Sequence, residues 1–251
     1  MRHQHQVAVV TGGSQGIGWG IVEKLNNEGA QVIIGARKPP QAELSDTMAY
    51  HYLDVADEAS VEAFFKTVEN QYGQLDILVN AAGMMFQKPF LGTSTADWDQ
   101  MMAVNLRGVF ICAKQAAKLM KNRQTGSIIN VGSIEGLACN PEHAPYAASK
   151  SGVHGLTRAF AIDVGQYGIR CNSVCPGWIE TALNQGYYQD EAEKAAFDKA
   201  MRALHPMRRL GTPTDVANMV SWLASDEAQW VTGQEFTVDG GRMAKLPNVS
   251  V

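Results

Sequence analysis

The chain has 251 residues, 45% hydrophobic and 18% charged, and its 21 lysines and arginines against 25 aspartates and glutamates give a formal net charge of −4. A weakly acidic chain gains nothing from a polyanion, and its short basic runs at Lys121 to Arg123 and Arg208-Arg209 are isolated, so nucleic acid is excluded as a partner. The length allows one sizeable core that needs neither disulfide nor metal to fold.

The four cysteines, Cys112, Cys139, Cys171 and Cys175, form no CxxC pair and no cluster with zinc-ligand spacing. Cys171 and Cys175 fall in one predicted strand. Four strand residues span about 13 Å, whereas a disulfide needs Cα atoms within about 7 Å, so these two are expected to be unbonded. Free buried thiols fit a reducing compartment. The N-terminus, MRHQHQVAVV, has no apolar signal region. No run of 18 apolar residues occurs, so a cytoplasmic protein with no membrane span is expected.

In chain order, a strand at 7–10 (VAVV) leads into a Gly-rich turn, Thr11-Gly12-Gly13-Ser14-Gln15-Gly16-Ile17-Gly18, and a helix over 17–29. Strands at 31–35 (QVIIG) and 50–53 (YHYL) follow, then a helix over 60–73 behind the cap signal Asp57-Glu58-Ala59-Ser60. Next come a strand at 76–80 (DILVN), a helix over 101–120, a strand at 127–133 (SIINVGS), a helix over 146–164 and a strand at 169–175 (IRCNSVC). Gly29 and Gly73 stand where helices end in left-handed residues. The stretch 178–210 is polar and only partly helical in spacing, and reads as a substrate-covering segment. Its Tyr187, Tyr188, Phe197, Met201, His205 and Met207 suit an apolar helix face or a hydrophobic pocket. Thr212-Pro213 opens a helix over 213–225, and a last strand lies at 235–239 (EFTVD). Strands alternating with helices imply right-handed crossovers and a parallel sheet covered on both faces. The expected fold class is α/β: one domain over 1–251, with a doubly wound sheet of about seven strands and helices on both faces.

Glycines between the first strand and a helix let the backbone approach a pyrophosphate closely, and the helix N-terminus offers the anion free N–H groups and a positive dipole end. That points to a dinucleotide. The spacing is TGxxxGxG, not GxGxxG, and here the sequence resembles the short-chain dehydrogenase/reductase family. The resemblance continues through Asn80-Ala81-Ala82-Gly83 after the fourth strand, Asn105 in Val104-Asn105-Leu106, and Ser133 after the fifth strand. It then takes in Tyr146 and Lys150 as YxxxK, and Pro176-Gly177 with Thr181 four residues on. It implies a three-layer Rossmann fold that binds its cofactor through Gly12, Ser14, Gln15, Gly16, Ile17, Gly18, Asn80, Ala81, Gly83, Tyr146, Lys150, Pro176, Gly177, Ile179 and Thr181. By the family's pattern Ala36 stands where an NAD-binding member carries Asp, and Arg37 stands beside it where a basic residue meets the NADP 2′-phosphate. A guanidinium fork matches phosphate oxygens. NADP(H) is therefore the expected cofactor and NAD(H) the alternative. Gln15 departs from the basic residue many NADP-binding members have in the turn. Asp54-Val55 resembles the adenine-binding pair, with Asp54 alternatively a helix cap.

Tyr146 and Lys150, at i and i+4, share a helix face. An ammonium beside a phenol favours the phenolate, which makes a tyrosine a usable acid and base. The resemblance implies that Tyr146 exchanges a proton with the substrate oxygen, Ser133 hydrogen-bonds that oxygen, Lys150 binds the nicotinamide ribose, and Asn105 holds a water linking Lys150 to solvent. Glu135, His143 and Trp178 are candidate substrate-side residues, each with a plain loop or packing role as alternative. The implied activity is hydride transfer between NADP(H) and a carbonyl or secondary alcohol. A 3-oxoacyl-carrier-protein reductase, a sugar, polyol or sterol dehydrogenase, and a non-catalytic cofactor-binding regulator are the rivals. The partners expected are a small-molecule substrate and, from the family, three further copies in a homotetramer.

Overall fold

A computed structural model describes residues 1–181 and 190–244. Seven strands form a single parallel sheet: β1 (Val7–Thr11), β2 (Gln31–Ala36), β3 (Met48–Tyr52), β4 (Ile77–Asn80), β5 (Gly126–Val131), β6 (Ile169–Pro176) and β7 (Glu235–Val238). Their order is β3-β2-β1-β4-β5-β6-β7. The chain works outward from β1 to β3, returns to β4 beside β1, and works outward again to β7. The order thus reverses between β1 and β4, and a crevice opens there at the carboxyl ends of the strands.

The central strands are continuous apolar runs because both faces are covered. Every residue of β1 and β4 is buried. On one face α1 (Gly16–Asn27) and α7 (Pro213–Ala224) pack over Val10, Ile34 and Val79. On the other, α2 (Glu58–Tyr72), α4 (Gly108–Arg123) and α5 (Ala144–Val164) cover Val9, Ile33, Leu78 and Ile128. Gly29 and Gly73 have the expected positive φ, +100° and +65°.

Three elements differ from the sequence reading. The helix expected over 101–120 starts earlier and changes pitch: α3 (Thr95–Met102) runs into a π-turn over Ala103–Arg107 before α4. Its start is set by a capping box, in which Ser94 Oγ accepts from the Asp97 N–H and the Asp97 carboxylate accepts from the Ser94 N–H. Within the stretch read as irregular, α6 (Glu191–Leu204) is a regular helix capped by Asp190. Tyr187, Tyr188 and the tail beyond Ala244 lie outside the described residues. No described cysteine is bonded: Cys112, Cys171 and Cys175 are buried, whereas Cys139 is exposed. No helix among the described residues is long and apolar enough to cross a membrane.

The segment between α6 and α7 is pinned to α7. Thr212 and Asp215 form a second capping box, and Arg209 grips the Asp215 carboxylate with two N–H groups at 2.7 and 2.8 Å. Thr212→Ala removes the cap and is expected to cost about 1 kcal/mol of stability, the usual loss at an N-cap. Denaturant unfolding of the variant against the wild type measures it; an unchanged midpoint would mean the cap contributes nothing.

Candidate active site

The Gly-rich turn folds back on itself at the end of β1. Gly12 and Gly16 both lie in the left-handed region, at φ +67° and +56°, and a Cβ on Gly18 would collide with the Gly12 carbonyl oxygen. α1 then starts without help from side chains. Its N-cap, Gln15, makes no capping bond and its first turn carries no acid, whereas α2, α3, α6 and α7 each have a capping side chain. The first N–H groups of α1 are left for an anion. A Cβ on Gly16 would lie 3.4 Å from Thr181 Cγ2, so the segment leaving β6 crosses the mouth of this turn. Gly177 lets β6 end against Asp239, where a Cβ would come within 2.8 Å of the Asp239 Cβ. Ile179 is buried and pairs with Gly211.

At the end of β2 there is no carboxylate. The carbonyl of the buried Ala36 accepts from the Tyr50 hydroxyl at 3.1 Å and the Leu53 N–H at 3.0 Å, while Arg37 and Lys38 are exposed. Arg37 makes no ion pair among the described residues. Asp54 does not cap α2; Asp57 does. Asp54 Oδ1 instead accepts from the Ala56 N–H at 3.0 Å, beside the buried Val55.

Asn80, expected among the cofactor residues, turns its side chain into the sheet. Its Nδ2 donates to Asn130 Oδ1 at 2.9 Å on the neighbouring strand. Asn105 also bonds within the protein. It sits fully buried in the π-turn, where Oδ1 accepts from the Met84 N–H and Nδ2 donates to the Met84 carbonyl, both at 2.9 Å. A third bond runs from Nδ2 to Ser149 Oγ at 3.2 Å. With both polar ends engaged, the side chain clamps the loop after β4 to α5. A Cβ on Gly83 would stand 3.5 Å from Asn105 Oδ1 and 3.9 Å from Lys150 Nζ, so Gly83, Asn105 and Lys150 meet.

Lys150 is buried, and its Nζ donates to the carbonyl of Val131, the last residue of β5, at 2.8 Å. Burial holds its pKa down at about 8, partly opposed by Cys175. The same Nζ lies 5.6 Å from the centroid of the half-buried Tyr146 ring. Ser133 follows β5 by two residues and accepts from the Glu135 N–H at 3.0 Å. As an acceptor in that bond it keeps its hydroxyl hydrogen to donate. Ser133, Tyr146 and Lys150 therefore converge at the carboxyl edge of β5, beside the crevice.

Glu135 and His143 form a pair. His143 Nδ1 lies 2.8 Å from Glu135 Oε2, and its ring stands edge-on to Tyr146 with centroids 6.4 Å apart. Because Nδ1 faces a carboxylate, that nitrogen carries the hydrogen. Asn140, which the sequence did not single out, donates to Glu135 through Nδ2 at 2.9 Å and accepts from Arg242 at 3.2 Å. Glu135, Asn140, His143 and Arg242 thus make one polar wall from two distant segments. Arg242 follows Gly240-Gly241, and nothing in the local pattern of either Asn140 or Arg242 marks it. Trp178 packs on Phe197 of α6, with centroids 5.2 Å apart, which anchors the covering helix.

A family model described as "Enoyl-(Acyl carrier protein) reductase" matches residues 12–242. The chain belongs to the short-chain dehydrogenase/reductase family. It is 37% identical to the NADP-dependent (R)-specific alcohol dehydrogenase of Lentilactobacillus kefiri, over 97% of this chain and 99% of that one. Among solved structures, the aldohexose dehydrogenase of Thermoplasma acidophilum superposes with a TM-score of 0.93 at 31% identity, covering 99% of this chain and 98% of that one. The gluconate 5-dehydrogenase of Burkholderia cenocepacia J2315, in complex with NADP and tartrate, superposes with a TM-score of 0.89 at 32% identity, covering 98% of each chain. These relatives are dehydrogenases, and the chain is an oxidoreductase of the same family.

The buried ammonium makes a stability prediction with a definite sign. Lys150 has a folded pKa near 8, below the ordinary 10.5, so the unfolded chain binds more protons between those values. The cost of burying the charge is complete below pH 8 and fades as pH rises toward 10.5. Lys150→Met is expected to stabilise the cofactor-free protein by roughly 1–3 kcal/mol at pH 7, from about two pKa units at 1.36 kcal/mol each less the lost bond to Val131. The gain should shrink toward pH 10. Paired denaturant titrations at the two pH values read the difference, and a destabilised variant at pH 7 would refute it.

Proposed function

We propose that the protein transfers a hydride between NADP(H) and a carbonyl or secondary alcohol, with Tyr146 as the acid and base. The observation that carries this reading is the convergence of Ser133, Tyr146 and a carboxylate-free, buried Lys150 at the carboxyl edge of the sheet, next to an uncapped helix start. A dinucleotide fits the residues present. α1 offers free N–H groups to a pyrophosphate, Gly83 leaves room above Lys150 for a ribose, and Arg37 is free for a 2′-phosphate. Ser14, Ile17, Pro176, Ile179 and Thr181 would flank it, with Asp54 and Val55 at the adenine end.

When bound, the nicotinamide gives or takes the hydride. Ser133 Oγ donates to the substrate oxygen and holds it against the Tyr146 hydroxyl. Tyr146 gives that oxygen a proton in reduction and takes one in oxidation. Lys150 favours the phenolate electrostatically and presents its remaining N–H groups to the ribose. Asn105 keeps the loop after β4 and α5 in register, so Gly83 stays over Lys150.

On the substrate side, the wall of Glu135, Asn140, His143 and Arg242 offers donors and acceptors, which favours a hydroxyl-bearing substrate such as a polyol or sugar derivative over a sterol. A carrier-protein substrate is the second reading. It needs a basic docking face, and α6, which covers the site, alternates Glu191, Glu193 and Asp198 with Lys194, Lys199 and Arg202. A homotetramer fits the exposed Phe110 on α4 and Ile162 on α5, at 44% and 82% exposure, which invite subunit packing. The buried free thiols fit a cytoplasmic setting.

Two measurements test the reading. Tyr146→Phe should lower kcat by about 10²–10⁴-fold, the range for a lost general acid, with NADPH binding retained; wild-type turnover would refute the site. NADPH should exceed NADH in kcat/KM by tenfold or more, about 1.4 kcal/mol, and Arg37→Ala should erase most of that margin. A native preference for NADH would overturn the cofactor assignment and leave Tyr146 standing.

A further inference from the structure

Tyr146, Lys150, His154 and Arg158 follow at intervals of four on one face of α5, so a row of titratable groups leads from the crevice to the protein surface. Its last two members, His154 and Arg158, have no part in the chemistry above. His154 is buried, with its ring beneath the turn that carries Ser133. Only glycines admit it there: a Cβ on Gly132 would lie 2.5 Å from His154 Nε2, and one on Gly136 would collide with the ring. Nε2 stands 3.2 Å from Cys175 Sγ on β6, and Nδ1 faces Glu235 Oε2 on β7 at 3.4 Å without a hydrogen bond. The other Glu235 oxygen pairs with Arg158 at the surface.

Burial favours the neutral imidazole, and in that form the Cys175 thiol donates to Nε2 while the Nδ1 hydrogen faces the Glu235 carboxylate. The charged and titratable groups facing His154 are Lys150 and Arg158 on its own helix, Cys175 on β6 and Glu235 on β7. The turn from β5 presents Gly132 and Gly136 to it, and the one acid in that turn, Glu135, is bonded to Asn140 and His143.

We propose that His154 is a positioning residue for the reaction: its neutral ring supports the Ser133 turn and keeps the space behind Lys150 free of a second positive charge, so that protonating it disables the site. A proton taken from solvent would put two cations one helical turn apart in a dry interior. Lys150 would then lose its own proton and with it the hold on Tyr146 and the ribose. Burial favours the neutral form, holding His154 below the ordinary imidazole value; Lys150 and Arg158 push the same way and Glu235 opposes them. The proposal rests on the Tyr146–Lys150 reading given above.

Reduction is the direction that isolates the effect. There Tyr146 must be protonated, so its own titration limits the rate only on the alkaline side. The wild type is expected to lose kcat/KM with NADPH on the acid side, below the ordinary imidazole value, by tenfold per pH unit. His154→Gln should keep activity at pH 7 within a few-fold and lose that acid limb. Two surface-charge variants carry the test should His154→Gln fold poorly. Glu235→Gln removes the group that favours imidazolium and should move the limb to lower pH, whereas Arg158→Gln removes a repelling cation and should move it to higher pH. The His154 Cε1–H resonance, followed by NMR in the cofactor-free protein, should move in the same opposite directions. A purely structural role would shift neither profile. The proposal is overturned if the two charge variants leave the limb in place or shift it in one direction, or if the limb survives in His154→Gln and disappears in His143→Gln. Turnover retained in Tyr146→Phe would instead sink the site reading, whatever His154 does.

Discussion

The ammonium of Lys150 lies buried against a main-chain carbonyl and not a carboxylate, and much of the surrounding structure exists to permit that. A carboxylate partner would satisfy the charge but would pin the ammonium to one place. The Val131 carbonyl satisfies only one of three N–H groups and leaves the charge available to a phenol and a ligand. The geometry needs α5 to lie close over the end of β5, and glycines at 132 and 136 make that approach sterically possible. On the open side, Gly83 keeps the space above Nζ clear, and the Asn105 clamp on Met84 fixes where Gly83 sits. Burying a charge this way is unfavourable. The continuous apolar layers on both faces of the sheet supply the stability that offsets it.

The substrate side is built on a different principle. Glu135 and Asn140 come from the turn after β5 and His143 from the start of α5, within eight residues of each other, and folding brings in Arg242 from the segment after β7. Glu135 accepts from both Asn140 and His143, so its carboxylate is oriented by two donors. That arrangement holds His143 in one tautomer and in one position beside Tyr146. Tyr146 thus has a cation behind it on one flank and an imidazole on the other.

What the sequence revealed and what it hid divide along physical lines. The central strands, buried on both faces, are apolar almost without interruption, and the edge strands β3 and β7 stand out by aromatic and β-branched residues between turns, so all seven were legible, their bounds within one or two residues. The glycine turn was legible because positive φ and close backbone approach leave few residue choices. The start of α3 was legible in principle, since Ser94 and Asp97 form a capping box three residues apart, but the polar first turns of the helix carry little apolar periodicity to mark it. The π-turn was not legible: Ala103 to Arg107 would suit an α-helix equally well, and only the pairing of Asn105 with Met84 explains the extra residue in the turn. Pattern places Asn80 and Asn105 along the chain but does not set the direction of their side chains, which bond to Asn130 and to Met84 and Ser149. Arg242 was hidden because its partner Asn140 is 102 residues away, and Asn140 because a polar loop residue carries no pattern that marks it.

Helix ends separate structural duty from functional duty here. α2, α3, α6 and α7 begin behind Asp57, Ser94, Asp190 and Thr212, each of which accepts from its own first turn. A helix so capped has satisfied its leading N–H groups and offers little to an anion. α1 and α5 lack a capping side chain, and both start at the crevice. At α1 the residue is Gln15, and the N–H groups stay open toward the space in front of the glycine turn. At α5 the residue is His143, whose side chain is drawn instead to Glu135, and Pro145 in the first turn removes one N–H that would have needed a partner. The stabilisation a Ser or Asp would give at these two positions, about 1 kcal/mol each, is forgone at the two helix starts that frame the reaction. Local stability has been given up where a ligand or a neighbouring side chain must take the place of the cap.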